Sequence, residues 1–172
     1  MLRLSKGVSQ LTKETYEKIA KPFRKPTLRR ILIFLDRAIT YGSALSYLVL
    51  LVWLAVRRDG LFYPVFWVPT FFFCALTAVR ALINAPRPYE TLGIEPIIPK
   101  ERSGKSFPSR HVGSAAVLSM AFVRVFGGVG FVFVGLSVLL ALLRVIGGVH
   151  YPRDVLAAFF AGILCGALLF LF

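Results

Sequence analysis

Residues 144–154 read Arg144-Val145-Ile146-Gly147-Gly148-Val149-His150-Tyr151-Pro152-Arg153-Asp154, and they stand between two stretches without a charge, Val125 to Leu143 and Val155 to Phe172. Each flank approaches the ~20 apolar residues a helix needs to cross hydrocarbon. Gly147-Gly148 suits a helix end and Pro152 a helix start. The segment therefore reads as two membrane helices joined through a charged turn. Further out, Ile39 to Val56 and Leu61 to Val79 are also free of charge. Val112 to Val123 is shorter, and spans only if Ser109 to His111 begin its helix and Arg124 snorkels outward at its end. Its first turn then belongs in a polar cavity. The expectation is an all-α, polytopic transmembrane bundle of about five spans.

Composition agrees. Hydrophobic residues fill 57% of 172 positions and mean hydropathy is +0.73, well above an ordinary soluble domain. The net charge of +13 would suit nucleic acid in a soluble protein, but uninterrupted apolar sequence excludes such a domain and makes anionic lipid the expected partner. Cys74 and Cys165 both fall inside expected spans, which argues against a disulfide framework and for simple packing roles. The first 30 residues hold no apolar core segment, so insertion through the spans themselves is expected rather than a cleaved signal.

Two regions follow, a basic interfacial segment 1–37 and a transmembrane domain 38–172. The first carries ten Lys or Arg against Glu14, Glu17 and Asp36. Tyr16, Ile19, Ala20 and Phe23 recur at helical spacing among Lys13, Lys18, Lys21 and Lys25, as in an amphipathic helix lying on an anionic membrane face. The competing reading is a disordered basic tail, since Pro22 and Pro26 interrupt the stripe. Arg57-Arg58-Asp59-Gly60 turns the first span into the second, and Gly127-Gly128 turns the third into the fourth. Pro64 and Pro69 predict a kink in the second span, with neighbouring helices satisfying the freed carbonyls. Asn84 to Phe107, rich in proline and charge, is the long internal loop and a candidate lid or lipid-selecting surface.

Counting crossings puts the end of span two, the start of span three, the end of span four and the start of span five on one side. Three charged clusters meet there: Arg80 with Arg87-Pro88, Pro108-Ser109-Arg110-His111, and Arg144 with His150 and Asp154. Charge beside hydrocarbon is costly, so such residues are functional candidates. Arg80, Arg87 and Arg144 offer planar forks that match phosphate oxygens. Ser109 adds a hydroxyl at a helix start, where first-turn amides favour an anion. A transferring phosphoryl group is stabilised mainly by such placed cations and donors. Asp154 is positioned to take one ring N–H of His150 and leave the other nitrogen to attack, by the logic of the Ser-His-Asp triad. His111, with no neighbouring carboxylate in sequence, is the candidate acid for the leaving oxygen.

These residues resemble the type 2 phosphatidic acid phosphatase superfamily, whose motifs are Lys-x6-Arg-Pro, Pro-Ser-Gly-His and Ser-Arg-x5-His-x3-Asp. Here they stand as Arg80-x6-Arg87-Pro88, Pro108-Ser109-Arg110-His111 and Leu143-Arg144-x5-His150-x3-Asp154. The resemblance implies a metal-independent lipid phosphatase without cofactor that works through a phosphohistidine. It implies His150 as nucleophile, Asp154 orienting it, His111 as general acid, and Arg80, Arg87, Ser109 and Arg144 binding phosphate. Three positions depart from the pattern: Arg80 for Lys, Arg110 for Gly and Leu143 for Ser. Arg110 either adds charge for phosphate or restricts access to the backbone amide. Soluble vanadium haloperoxidases share the motifs, but the spans argue against that branch.

Other readings of the same residues are a zinc site of two His and one Asp, disfavoured by repulsion from the arginines, and a lipid-binding membrane scaffold without turnover. Lys100, Arg102, Lys105 and Arg153 read as headgroup or solvated charges, and Tyr89 and Tyr151 as interfacial aromatics. Cations of segment 1–37 and of these loops outnumber Arg57, Arg58 and Arg124 on the opposite side. The positive-inside rule then places the catalytic face in the cytoplasm, in a bacterial inner membrane. Expected substrates are phosphatidylglycerophosphate, phosphatidate or a prenyl phosphate or diphosphate. The runner-up is an undecaprenyl diphosphate phosphatase with an outward site.

Overall fold

The computed structural model describes residues 12–100 and 103–172, and every regular element among them is helical. Helix α1 (Lys13–Ala20) runs into a 3-10 turn, Lys21–Arg24, and then α2 (Pro26–Val56). Next come α3 (Phe62–Ile83), the short α4 (Pro88–Thr91), α5 (Arg110–Phe126), α6 (Phe131–Ile146) and α7 (Pro152–Ala167). Four stretches are long and apolar enough to cross a membrane: Pro26–Val56, Phe62–Thr91, Arg110–Ile146 and Pro152–Leu171. The third, at 37 residues, would reach roughly 55 Å as one straight helix, against ~30 Å of hydrocarbon. It folds back at the 3-10 turn Gly127–Gly130. Phe122 and Phe133 stack with centroids 3.8 Å apart, where a continuous helix would hold them about 16 Å apart. The hairpin gives two crossings, hence five long helices in all.

The lipid-facing surface is apolar: Phe34, Leu45, Val52, Phe71, Leu142 and Leu164 are all exposed, as expected of a membrane protein rather than a soluble one. Pro69 lies inside α3 and cannot donate to the carbonyl of Val65 four residues earlier. The Tyr47 hydroxyl of α2 donates to that oxygen at 2.8 Å. A neighbouring helix thus satisfies the group that proline frees, as the sequence predicts.

Three details go beyond the sequence reading. The first long apolar helix begins at Pro26, so α2 continues unbroken across residues 37 and 38. Of the apolar stripe on α1, Tyr16 and Ala20 are buried against Ile94, Ile97, Leu143 and Val149 of the protein, while Ile19 stays exposed. Arg124 likewise does not simply snorkel: its Nε donates to the Leu169 carbonyl at 3.1 Å, tying the end of α5 to the end of α7.

What positions the site is the contact between α5 and α7. At Gly162 a Cβ would stand 2.7 Å from the Gly113 carbonyl and 2.8 Å from the Ala116 Cβ, so only glycine lets the two helices approach this closely. These helices carry His111 and Asp154 near their starts, and their contact fixes the two residues relative to one another. The long loop is docked too: Ile97 and Ile98 both donate their N–H to the Gly147 carbonyl, at 3.0 and 3.2 Å. Gly148 has φ +76° and packs against the Tyr16 ring, so α1 and the loop together brace the turn that carries His150.

Candidate active site

The three charged clusters converge as the crossing count predicts. The Arg80 Nη1 donates to the Pro108 carbonyl at 2.8 Å, joining the end of α3 to the turn before α5. The Ser109 N–H donates to the Asp154 carbonyl at 2.9 Å, joining that turn to α7. Arg87 is 2% exposed and its Nε donates to the Gly104 carbonyl at 3.1 Å. Glu90 supports the same corner by accepting from the N–H groups of Arg87 at 2.7 Å and Gly104 at 3.0 Å. Local sequence explains these positions. Pro88 and Pro152 start α4 and α7, where the missing N–H costs nothing.

His150 lies between α6 and α7 and is fully buried. Its Nδ1 faces Asp154 Oδ2 at 3.7 Å and Ser106 Oγ at 3.5 Å. The Ser106 hydroxyl donates to Asp154 Oδ2, and the Tyr151 N–H donates to the same oxygen at 3.0 Å. Nε2 of His150 is buried and makes no hydrogen bond to a described residue, and the same holds for Ser109 Oγ. Burial holds the His150 pKa below its ordinary value; Asp154 opposes that shift, and the charges of Arg87 and Arg144 reinforce it. The ring is therefore neutral near pH 7, with Nδ1 directed at the carboxylate and Nε2 the nitrogen left for chemistry.

His111, in the first turn of α5, lines a cavity of about 250 Å³ together with Asp36, Thr40, Ile98, Lys100 and Arg144. A second hollow shares Thr40 and His111 and adds Ser43, Ala44, Phe73 and Ser114. A third, apolar groove of about 360 Å³ shares Ala44, Phe73 and Ser114 and runs on past Tyr47, Leu48, Pro69 and Val117. A polar cavity at the charged end thus continues into an apolar groove between α2, α3 and α5. His150 is not among the residues lining the polar cavity.

Of the expected site residues, His150, Asp154, Ser109, Arg80, Arg87 and Arg144 are buried together at one end of the bundle, and His111 is half-buried beside them. Arg110 is exposed, with its guanidinium over the Phe73 ring at 5.7 Å, at the rim of the groove. Sequence reasoning missed Ser106 and Asp36. Ser106 precedes the Pro108-Ser109 pair by two residues and offered no pattern of its own. Asp36 did carry a signal, a single carboxylate inside what becomes a membrane helix, but it was counted with the basic segment. Among the described residues, no three His, Cys, Asp or Glu side chains group as metal ligands would.

Comparison with known proteins agrees with this fold. No curated protein sequence matches the chain. LpxE of Aquifex aeolicus has a crystal structure that superposes with a TM-score of 0.75 at 21% identity, over 98% of this chain and 100% of that one. The first transmembrane PAP2 type phosphatidylglycerolphosphate phosphatase from Bacillus subtilis superposes with a TM-score of 0.68 at 24% identity, over 94% of this chain and 86% of that one. At these identities the likeness establishes the fold. A family model for the PAP2 superfamily matches residues 72–172, which include every motif residue from Arg80 to Asp154, and by that match the chain belongs to the PAP2 superfamily.

Proposed function

We propose that the protein is a membrane lipid phosphatase that releases phosphate from a lipid phosphomonoester or diphosphate through a phosphohistidine on His150. The observation that carries this reading is the unpaired, buried Nε2 of a His150 whose other nitrogen faces Asp154. Nε2 attacks phosphorus while the bond from phosphorus to the lipid oxygen breaks. His111 gives its proton to that oxygen, so the lipid leaves as an alcohol, or as a monophosphate when the substrate is a diphosphate. In the second half, neutral His111 takes a proton from water, the water oxygen bonds to phosphorus, and the bond to Nε2 breaks. Inorganic phosphate and the starting ring return. Arg80, Arg87 and Arg144, with Ser109 and the first-turn amides of α5, balance the charge on the phosphoryl oxygens.

The apolar groove supports a lipid rather than a soluble phosphoester, since it leads from the polar cavity along helices that face hydrocarbon. Lys13, Lys18, Lys21, Arg24 and Lys25 stand on the same side as the site, and this favours a cytoplasmic catalytic face and contact with anionic lipid. A cytoplasmic face suits phosphatidylglycerophosphate, phosphatidate or a prenyl phosphate made on the inner leaflet. The test is phosphate release by detergent-purified protein from phosphatidylglycerophosphate, phosphatidate and undecaprenyl diphosphate, with EDTA present and His150→Ala as control. Release that survives EDTA and is lost in the variant is expected. Turnover by His150→Ala would rule the mechanism out, and no turnover of any lipid would favour a scaffold. An impermeant thiol reagent that labels Glu95→Cys in intact cells would instead move the site outward.

A further inference from the structure

Asp36 is a negative charge where a phosphatase would least be expected to hold one. It stands on α2, is 4% exposed, and lines the same cavity as His111 and Arg144. An isolated carboxylate there would repel a phosphate and leave a buried charge uncompensated. It instead meets the Arg144 guanidinium in two places: Nη2 donates a hydrogen bond to Oδ2 at 3.2 Å, and Nε stands 2.7 Å from Oδ1 in an ion-pair contact that is not aligned for a hydrogen bond. Both side chains are close to fully buried. One hydrogen bond and one ion-pair contact to neighbouring nitrogens of a planar group restrict its rotation as well as its position, which a lysine's point charge would not do. The contact also joins α2 to the last turn of α6, two elements that share no catalytic motif.

We propose that Asp36 is a positioning residue for phosphate recognition. It holds Arg144 through Nη2 and Nε, and so sets the angle at which the guanidinium meets the phosphate. Loss of this contact leaves the charge of Arg144 in place but loosens its orientation, and part of the ordering is then left to the binding event. The proposal rests on the reading of Arg144 as a phosphate ligand.

The test is a double-mutant cycle on the detergent-purified full chain, read by calorimetric binding of inorganic phosphate and by KM and kcat for phosphatidate. Asp36→Asn is expected to weaken phosphate binding by roughly ten-fold, the size of one well-made charged hydrogen bond. It should raise KM by a similar factor and leave kcat within a few-fold. In an Arg144→Met background the same substitution should change binding by less than about two-fold, because the guanidinium that Asp36 orients is gone. The double variant removes both buried charges and is expected to fold even where Asp36→Asn alone does not. If Asp36→Asn fails to fold, Asp36→Glu replaces it. That variant keeps the charge but displaces the carboxylate, and it should weaken binding several-fold. Equal weakening by Asp36→Asn in both backgrounds, or wild-type binding by a folded Asp36→Asn or Asp36→Glu, overturns the proposal while Arg144 remains a ligand. If Arg144→Met itself binds phosphate as the wild type does, the reading of Arg144 fails instead.

Discussion

The two ends of the bundle use the same device for different ends. At one, Arg80 donates to the Pro108 carbonyl; at the other, Arg124 donates to the Leu169 carbonyl. Both arginines tie together helices that are far apart in sequence, and either could pass for an isolated charge beside a membrane. The Arg80 end also brings together His111, His150, Asp154, Asp36, Arg87 and Arg144, above a groove that leads into the apolar layer. The Arg124 end has a glycine turn and stacked aromatic rings, Phe122 on Phe133 and Phe122 with Phe126. A charge at membrane depth is therefore a weak indicator of function by itself. What separates the ends is convergence: among the described residues, one end buries His150, Asp154, Arg80, Arg87 and Arg144 together.

The sharpest way to break the comparison is to remove the nucleophile. His150→Ala is expected to lower phosphate release by at least about 10³-fold while the protein stays folded, because the loss of a nucleophile leaves only binding and charge stabilisation. Assay of phosphatidate turnover against thermal unfolding checks both halves. Asp154→Asn should cost less, on the order of 10²–10⁴-fold, since the ring stays in place but loses the charge that favours a proton on Nδ1. A pH profile sharpens the point. In the proposed mechanism the neutral ring is the attacking form, so kcat/KM is expected to rise with pH through the His150 pKa. Burial lowers that pKa, so the acid limb is expected at a midpoint below the ordinary value of about 6.5. Asp154 pushes the pKa up, so Asp154→Asn should move the limb lower still. At the far end, Arg124→Ala should leave kcat/KM within about two-fold and reduce stability by roughly 1–3 kcal/mol, the worth of a hydrogen bond from a charged donor. A large loss of activity there would undo the contrast between the ends. Smallest of all, Tyr47→Phe should cost about 1 kcal/mol by uncovering the Val65 carbonyl, and calorimetry would detect it as a few degrees in Tm.

Much of this was legible in the chain because it depends on local rules. Runs such as Val125 to Leu143 force helices by hydrocarbon thickness, Gly147 and Pro152 set a helix end and a helix start, and the parity of crossings then brings Arg80, Ser109 and His150 to one face. The pairings of Asp36 and Ser106 were not legible, since they join residues far apart in the chain: Asp36 meets Arg144 across 108 positions and Ser106 meets Asp154 across 48. Arg110 is the converse case, a motif position that the fold turns toward Phe73 at the groove rim.

The sequence by itself determined the spans, their order and which ends carry charge, because burial of apolar length and backbone hydrogen bonding act segment by segment. Only the tertiary structure decided which nitrogen of His150 stays unpaired, which carboxylate holds Arg144, and that Tyr16 and Ala20 of α1 pack against the turn that carries His150. Those outcomes depend on distances between residues far apart in the chain, which are set by how closely the helices pack.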